Sequence, residues 1–328
     1  MKKFTAIADA ARLVLLIGFV VMVTAAPARA QEIRITVSQT VALNNERVEP
    51  SGLVPLSGTQ LLVADDKQPG LVVVDSTTGK IAGEALPVGT VQKNLDWEAM
   101  AKDPEGNYYL IGSRSQLFSF HFDERQAKHI NPTSKPLNTK LEIEGLAVRK
   151  LDGHTEVSFG IRDRSGEIKV YRSAFDNAQP LSLTPFFKFK AQMTQAVEWH
   201  LSSIEYVPEL RGFLIITTTE NSRDNSFYGN RLWFVPEEDL PRAQPKSTDT
   251  FTDVKPLSSD VFEKEMKAEG LTVLSYDRKK NAVTLAIVYD NDLAWLTRNR
   301  PKIPGPAAMP GKLQIVEVSL STGTMNSR

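Results

Sequence analysis

The stretch L-E-I-E-G-L-A-V-R-K at residues 141–150 reads as a β-strand opened by an acid, and the chain repeats the pattern. R-V-E-P-S-G-L-V-P-L (47–56), D-W-E-A-M-A-K-D (96–103), L-S-S-I-E-Y-V-P-E-L (201–210) and K-A-E-G-L-T-V-L-S-Y (267–276) each lead from an acidic residue into small and aliphatic ones. Aligned on the acid, the repeats place Glu49, Glu98, Glu144, Glu205 and Glu269 in register. Their spacings of 49, 46, 61 and 64 residues match a propeller blade of ~40–50 residues with loop insertions.

Each unit carries the same run of short segments rich in Val, Ile, Leu, Phe and Tyr, separated by Gly, Asp, Asn and Pro, which is strand-and-turn chemistry. The first reads SGLVPL, TQLLVADD, GLVVVDSTTG and KIAGEALPV, and the fourth reads SIEYVP, GFLIITTT, RLWFVP and FTDVKPL. The fifth lacks an outer strand, having only EGLTVLS, AVTLAIVYD and GKLQIVEVSL before the chain ends. EIRITVSQTVAL, which precedes the first unit, can supply it. The expectation is an all-β, five-bladed β-propeller closed by its N-terminal strand. Six blades would need a further unit hidden in the long fourth repeat, and a two-domain β-sandwich would not require the acid to recur. AQMTQAVEWHLSS (191–203) and SSDVFEKEMKAEG (258–270) have helical patterning and are expected as helices between blades.

Residues 1–30 read as a signal peptide: Lys2 and Lys3, an apolar run from Leu13 to Val23, then Ala28-Arg29-Ala30 as a cleavage site. That run is short for a membrane span of about 20 residues. Residues 31–328 then form a single propeller domain, periplasmic or secreted, with no membrane span after cleavage. Of 39 basic and 39 acidic residues, the first thirty hold Lys2, Lys3, Arg12, Arg29 and Asp9, leaving 35 and 38 and a net charge of −3. Such a balance offers no footprint for nucleic acid. The absence of cysteine removes disulfide, thiol-redox and thiolate-metal chemistry.

In a propeller the innermost strands line a central channel, so residues that open them form a ring at one rim, where the second strands also end. Clustered carboxylates there must raise their pKa values, pair with cations or bind a metal. Arg114 and Arg162 can neutralise two of them. Oxygen donors outside the cytoplasm suit Ca²⁺, and the expected metal set is Glu98, Glu144, Glu269, Asp96, Asp290, Glu49 and Glu205. A ring of Glu accepting backbone N–H groups is the structural alternative. Long loops after the second strands of units four and five carry Tyr228 and Trp295, and Trp97 and Trp199 belong to the same rim. With Arg114 and Arg162 they are the expected contacts for a small-molecule or protein ligand.

DWEAMAKDPEGNYYLIGSRS, EIEGLAV with VSFGIRDRSGEIKVYR, and KAEGLTVL with LAIVYDND together resemble a bacterial propeller family with E-G-[aliphatic]-[small] repeats. That family is similar to the SdiA-regulated and phytase-like propellers. The resemblance spans most of residues 31–328 and implies a propeller, a possible calcium ion and no settled activity. Glu49 is followed by Pro-Ser-Gly and Glu205 by Tyr206, which departs from the pattern.

His121, His129, His154 and His200 lack metal-ligand spacing, and only His200 is expected near the rim. No nucleophile elbow, Walker loop or dinucleotide fingerprint is present. The reading is a ligand-binding or interaction module with an acidic, calcium-binding channel rim. A metal-dependent hydrolase of a phosphoester or lactone is the alternative.

Overall fold

The computed structural model describes residues 31–45, 48–66, 70–87, 96–112, 116–121, 128–129, 141–163, 165–175, 181–191, 198–221, 226–241, 250–260, 266–290 and 310–322. Five sheets form around one axis, each with four antiparallel strands and one with a short parallel strand added at its edge. Blade 1 is β2 (Pro50–Ser57), β3 (Gln60–Asp65), β4 (Gly70–Asp75) and β5 (Ile81–Pro87). Blade 2 is β6 (Trp97–Lys102), β7 (Tyr108–Gly112), β8 (Gln116–Phe120) and β9 (Lys128–His129). Blade 3 is β10 (Ile143–Leu151), β11 (His154–Ile161), β12 (Glu167–Phe175) and β13 (Thr184–Lys190). Blade 4 is β14 (Glu198–Val207), β15 (Gly212–Asn221), β16 (Ser226–Pro236) and β18 (Leu257–Asp260).

Blade 5 contains β19 (Lys267–Asp277), β20 (Ala282–Asp290) and β21 (Lys312–Thr322), and its outer strand is β1 (Gln31–Ala42). β1 runs antiparallel to β21 from Gln31 opposite Thr322 to Ala42 opposite Lys312. The chain is a five-bladed β-propeller closed as the sequence suggests.

Alternation along the strands explains why the ring holds. In β3, Leu61 and Val63 pack toward blade 5, whereas Leu62 and Ala64 pack toward blade 2. In β15, Phe213 and Ile215 join blade 3, and Leu214 and Ile216 join blade 5. A second strand therefore has apolar neighbours on both faces and reads as a continuous hydrophobic run. Each fully buried leucine or isoleucine contributes roughly 1.5–3 kcal/mol of transfer free energy. Five such inter-blade cores close the circle.

One expectation needs correction. FTDVKPL does not form one outer strand: β17 (Thr252–Asp253) pairs in parallel with β13 of blade 3, and β18 then returns to β16. The connection thus straps blades 3 and 4, with Phe251 edge-on to Tyr171 at 4.9 Å. The two stretches expected as helices are described only at their ends, residues 192–197 and 261–265 lying outside the described residues. Glu198–Val207 and Leu257–Asp260 are strands, because their apolar residues are claimed by inter-blade cores. Residues 1–30 also lie outside the described residues.

Candidate functional site at the channel mouth

Every innermost strand carries a β-bulge near its start. The register shifts lie between Pro50 and Gly52, Trp97 and Ala99, Ile143 and Gly145, Leu201 and Ser203, and Ala268 and Gly270. The extra residue in each is Ser51, Glu98, Glu144, Ser202 or Glu269. A bulge turns its unpaired residue out of the ladder, here at the point where five strands crowd the axis. The residue before it is buried and apolar in all five blades: Pro50, Trp97, Ile143, Leu201 and Ala268. The residue after it is small, because neighbouring inner strands nearly touch. A Cβ on Gly52 would stand 2.7 Å from the Met100 nitrogen.

The glutamates Glu98, Glu144 and Glu269 meet electrostatically at this mouth, together with Asp66 from the end of β3. Burial, reinforced by those three carboxylates and opposed by Lys267, pushes the Glu98 carboxyl up to about 9. Glu98 is therefore protonated at neutral pH. Its two companions have cationic neighbours. Arg162 Nη1 lies 3.3 Å from Glu144 Oε1, and Lys267 Nζ contacts Glu269 Oε1. Ser51 Oγ is buried and has no hydrogen-bond partner among the described residues. Ser202 Oγ lies 3.3 Å from Thr218 Oγ1, which donates to Asn230 Oδ1 at 2.9 Å.

A second tier stands two residues before the bulge: Glu49, Asp96, Glu142, His200 and Lys267. The Glu49 carbonyl accepts from Asp66 N at 2.9 Å, and the Glu142 carbonyl accepts from Arg162 N at 2.8 Å. His200 faces Thr218 across the ladder, and Lys267 faces Asp290. Glu49, His200 and Asp290 are buried, while Asp96 is exposed.

The ring therefore differs from the one inferred by spacing. Glu49 lies one tier before the bulge, and Glu205 lies three residues beyond it, where burial alone raises its carboxyl to about 8. Ser51 and Ser202 hold the equivalent places. The signal for them was present: Ser51-Gly52-Leu53 and Ser202-Ser203-Ile204 align directly with Glu144-Gly145-Leu146 once the small-aliphatic pair, rather than the acid, sets the register. Trp97 is wholly buried between blades 1 and 2, edge-on to Phe118 at 5.4 Å. Trp199 belongs to the core of blades 3 and 4, with the Arg231 guanidinium 5.1 Å from its ring. Their positions direct both rings between blades instead of over the rim. Arg114 and Trp295 lie outside the described residues, and of Tyr228 only its place in β16 is described.

The donor set is all hard oxygen, which suits calcium chemically. Among the described residues no group of three Asp, Glu or His side chains is placed to share one ion, and Lys267 and Arg162 stand against two of the carboxylates.

No family model and no curated protein sequence matches the chain. Among solved structures it is similar to a Bacillus subtilis arabinanase, Arb43A, at 14% identity and a TM-score of 0.48, covering 83% of this chain and 94% of the other. A luciferin-regenerating enzyme matches at 12% identity and a TM-score of 0.44, covering 82% and 77%. A Staphylococcus aureus virginiamycin B lyase matches at 10% identity and a TM-score of 0.40, covering 88% and 100%. Likeness at this level carries no chemistry across to this chain; the blade count and closure stand on its own strand pairings.

Proposed function

We propose that this propeller is an exported ligand-binding module whose acidic channel mouth accepts a cation, with Ca²⁺ the inorganic ion best suited to its oxygen donors. The observation that carries the reading is the electrostatic coupling of Glu98 to two further bulge glutamates, Glu144 and Glu269, and to Asp66 at the channel mouth, with Glu98 making no ion pair among the described residues. A folded protein does not gather such groups without a compensating charge unless it keeps protons on them, and an arriving cation releases those protons. Export rests on the basic, apolar and Ala-Arg-Ala order of residues 1–30.

The test is the melting temperature of residues 31–328 in chelator and across a calcium titration. We expect a concentration-dependent rise in the range of extracellular calcium modules, Kd on the order of 10⁻⁴–10⁻³ M or weaker. The rise should disappear in Glu98→Gln/Glu144→Gln. A wild-type curve unmoved by calcium would remove calcium from this account.

A further inference from the structure

The channel mouth contains a cation of the chain's own, in the tier next to the bulge ring. Lys267 opens β19 between two carboxylates: Glu269, which its ammonium contacts, and Asp290, its cross-strand partner. Both Lys267 and Glu269 side chains are about nine-tenths buried, at 11% exposure each. Such burial is uncommon for lysine unless the ammonium is paired. Its backbone is fixed on both sides by one residue of the neighbouring blade. Asn230 Nδ2 donates to the Met266 carbonyl at 2.9 Å, and Ala268 N donates to Asn230 Oδ1 at 3.0 Å. Asn230 is itself held by Thr218, next to Ser202 in the ring. The backbone around Lys267 is thus held by a buried polar clamp, and its ammonium lies against Glu269 and acts on Glu98. The bulge hydroxyl of Ser51, on the other side of Glu269 around the ring, is buried with no partner among the described residues. As the bulge residue of blade 1, Ser51 holds the place that Glu98, Glu144 and Glu269 hold in theirs.

We propose that Lys267 is a built-in occupant of the cation site: its ammonium fills the place that a metal ion or a ligand ammonium takes, and an incoming cation must displace it. This rests on the reading of the mouth as cation-accepting, and it explains why the acids do not converge as metal ligands in the resting arrangement. The clamp at Asn230 holds the backbone on either side of Lys267, so displacement is a movement of the lysine side chain and not of the strand. Selection follows from competition. Only a cation that satisfies Glu269 and its neighbours better than the resident ammonium enters, so a divalent ion or a ligand carrying more than one donor is preferred over sodium or potassium.

The experiment compares calcium titrations of wild type, Lys267→Gln and Lys267→Arg. Removing a like charge from the site should tighten calcium binding by about ten-fold or more, whereas Lys267→Arg should bind no better than wild type. In wild type, acetic anhydride labelling of Lys267, followed by peptide mass spectrometry, should accelerate when calcium is added, because the displaced ammonium becomes accessible. Labelling needs no variant and decides the matter if Lys267→Gln does not fold. Calcium binding equal in wild type and Lys267→Gln, or Lys267 labelling insensitive to bound calcium, would overturn the proposal while leaving the cation-accepting mouth intact. Tight binding by Lys267→Gln with none by wild type supports the resident lysine and refutes calcium as the natural ligand. No binding by either refutes both.

Discussion

Gly270 and Gly52 bring the inner strands of blades 5 and 1 into backbone contact: a Cβ on Gly270 would stand 2.9 Å from Gly52 Cα. On its other side, a Cβ on Gly52 would meet backbone atoms of blade 2, at 2.7 Å from Met100 N. These obstacles are main chain and cannot turn aside. Gly52→Ala should therefore destabilise by about 1–3 kcal/mol, the usual cost of overpacking. At Gly145 the nearest atoms belong to the Leu201 and Ile204 side chains, at 2.7 and 2.9 Å, and not to main chain, so Gly145→Ala should cost less. Chemical denaturation of both variants checks the order, and equal losses would contradict it.

Arg149 joins blades 3 and 4 through a buried charge cluster. Its Nη2 lies 2.6 Å from Glu156 Oε1 and its Nη1 3.2 Å from Glu237 Oε1, and its guanidinium stands 5.2 Å from the Phe186 ring centre. Arg172 approaches the same Glu156 at 3.5 Å. Removing one partner of a buried pair leaves an uncompensated charge, so Arg149→Met should lose about 3–5 kcal/mol. Arg149→Met with Glu156→Leu should recover part of that loss. A double mutant as unstable as the sum of the singles would show that the two residues act independently.

The pH dependence of stability follows from Glu205. Burial raises its carboxyl to about 8 in the fold, above its ordinary range, so the folded state holds a proton that the unfolded chain releases. Its contribution is fully present below about pH 4.5 and is lost as pH rises through about 8. Glu98, raised to about 9, adds the same sign. Stability should decline from mildly acidic to alkaline pH, and Glu205→Gln should flatten that decline. An unchanged pH profile in Glu205→Gln would place the responsible proton elsewhere.

Closure by β1 makes a separate prediction. Ile33 is buried in the core shared by blades 4 and 5, and β1 supplies the outer ladder of β21. Deleting residues 31–42 opens that edge and should lower the melting temperature markedly, whereas Ile33→Ala should cost about 2–5 kcal/mol. A deletion variant melting like the full domain would mean that the ring does not depend on this strand.

Much of this was legible in residue order. The five units, the missing strand in the last and its replacement by EIRITVSQTVAL could all be read from strand chemistry alone. Glu98, Glu144 and Glu269 could be placed together because each is followed by a small residue and then Met100, Leu146 or Leu271. Glu49 and Glu205 fall out of register because the acid is not the constant feature: the crowding of inner strands holds constant the small residue after the bulge. The strap at Thr252–Asp253 was hidden for a different reason. Two-residue pairing carries too little periodicity to separate from the strand that follows it, and it is set by the edge of β13 in another blade. Trp97 and Trp199 read as rim aromatics because a sequence does not reveal which face of a strand a ring will take once the register has shifted by a bulge.

The most direct test of the acidic mouth is calorimetric titration of residues 31–328 with calcium chloride, for wild type and for Glu98→Gln. We predict a single weak site per chain in wild type, with protons released on binding, and neither heat nor proton release in Glu98→Gln. Identical heats in the two proteins, or none in wild type at millimolar calcium, would contradict the account.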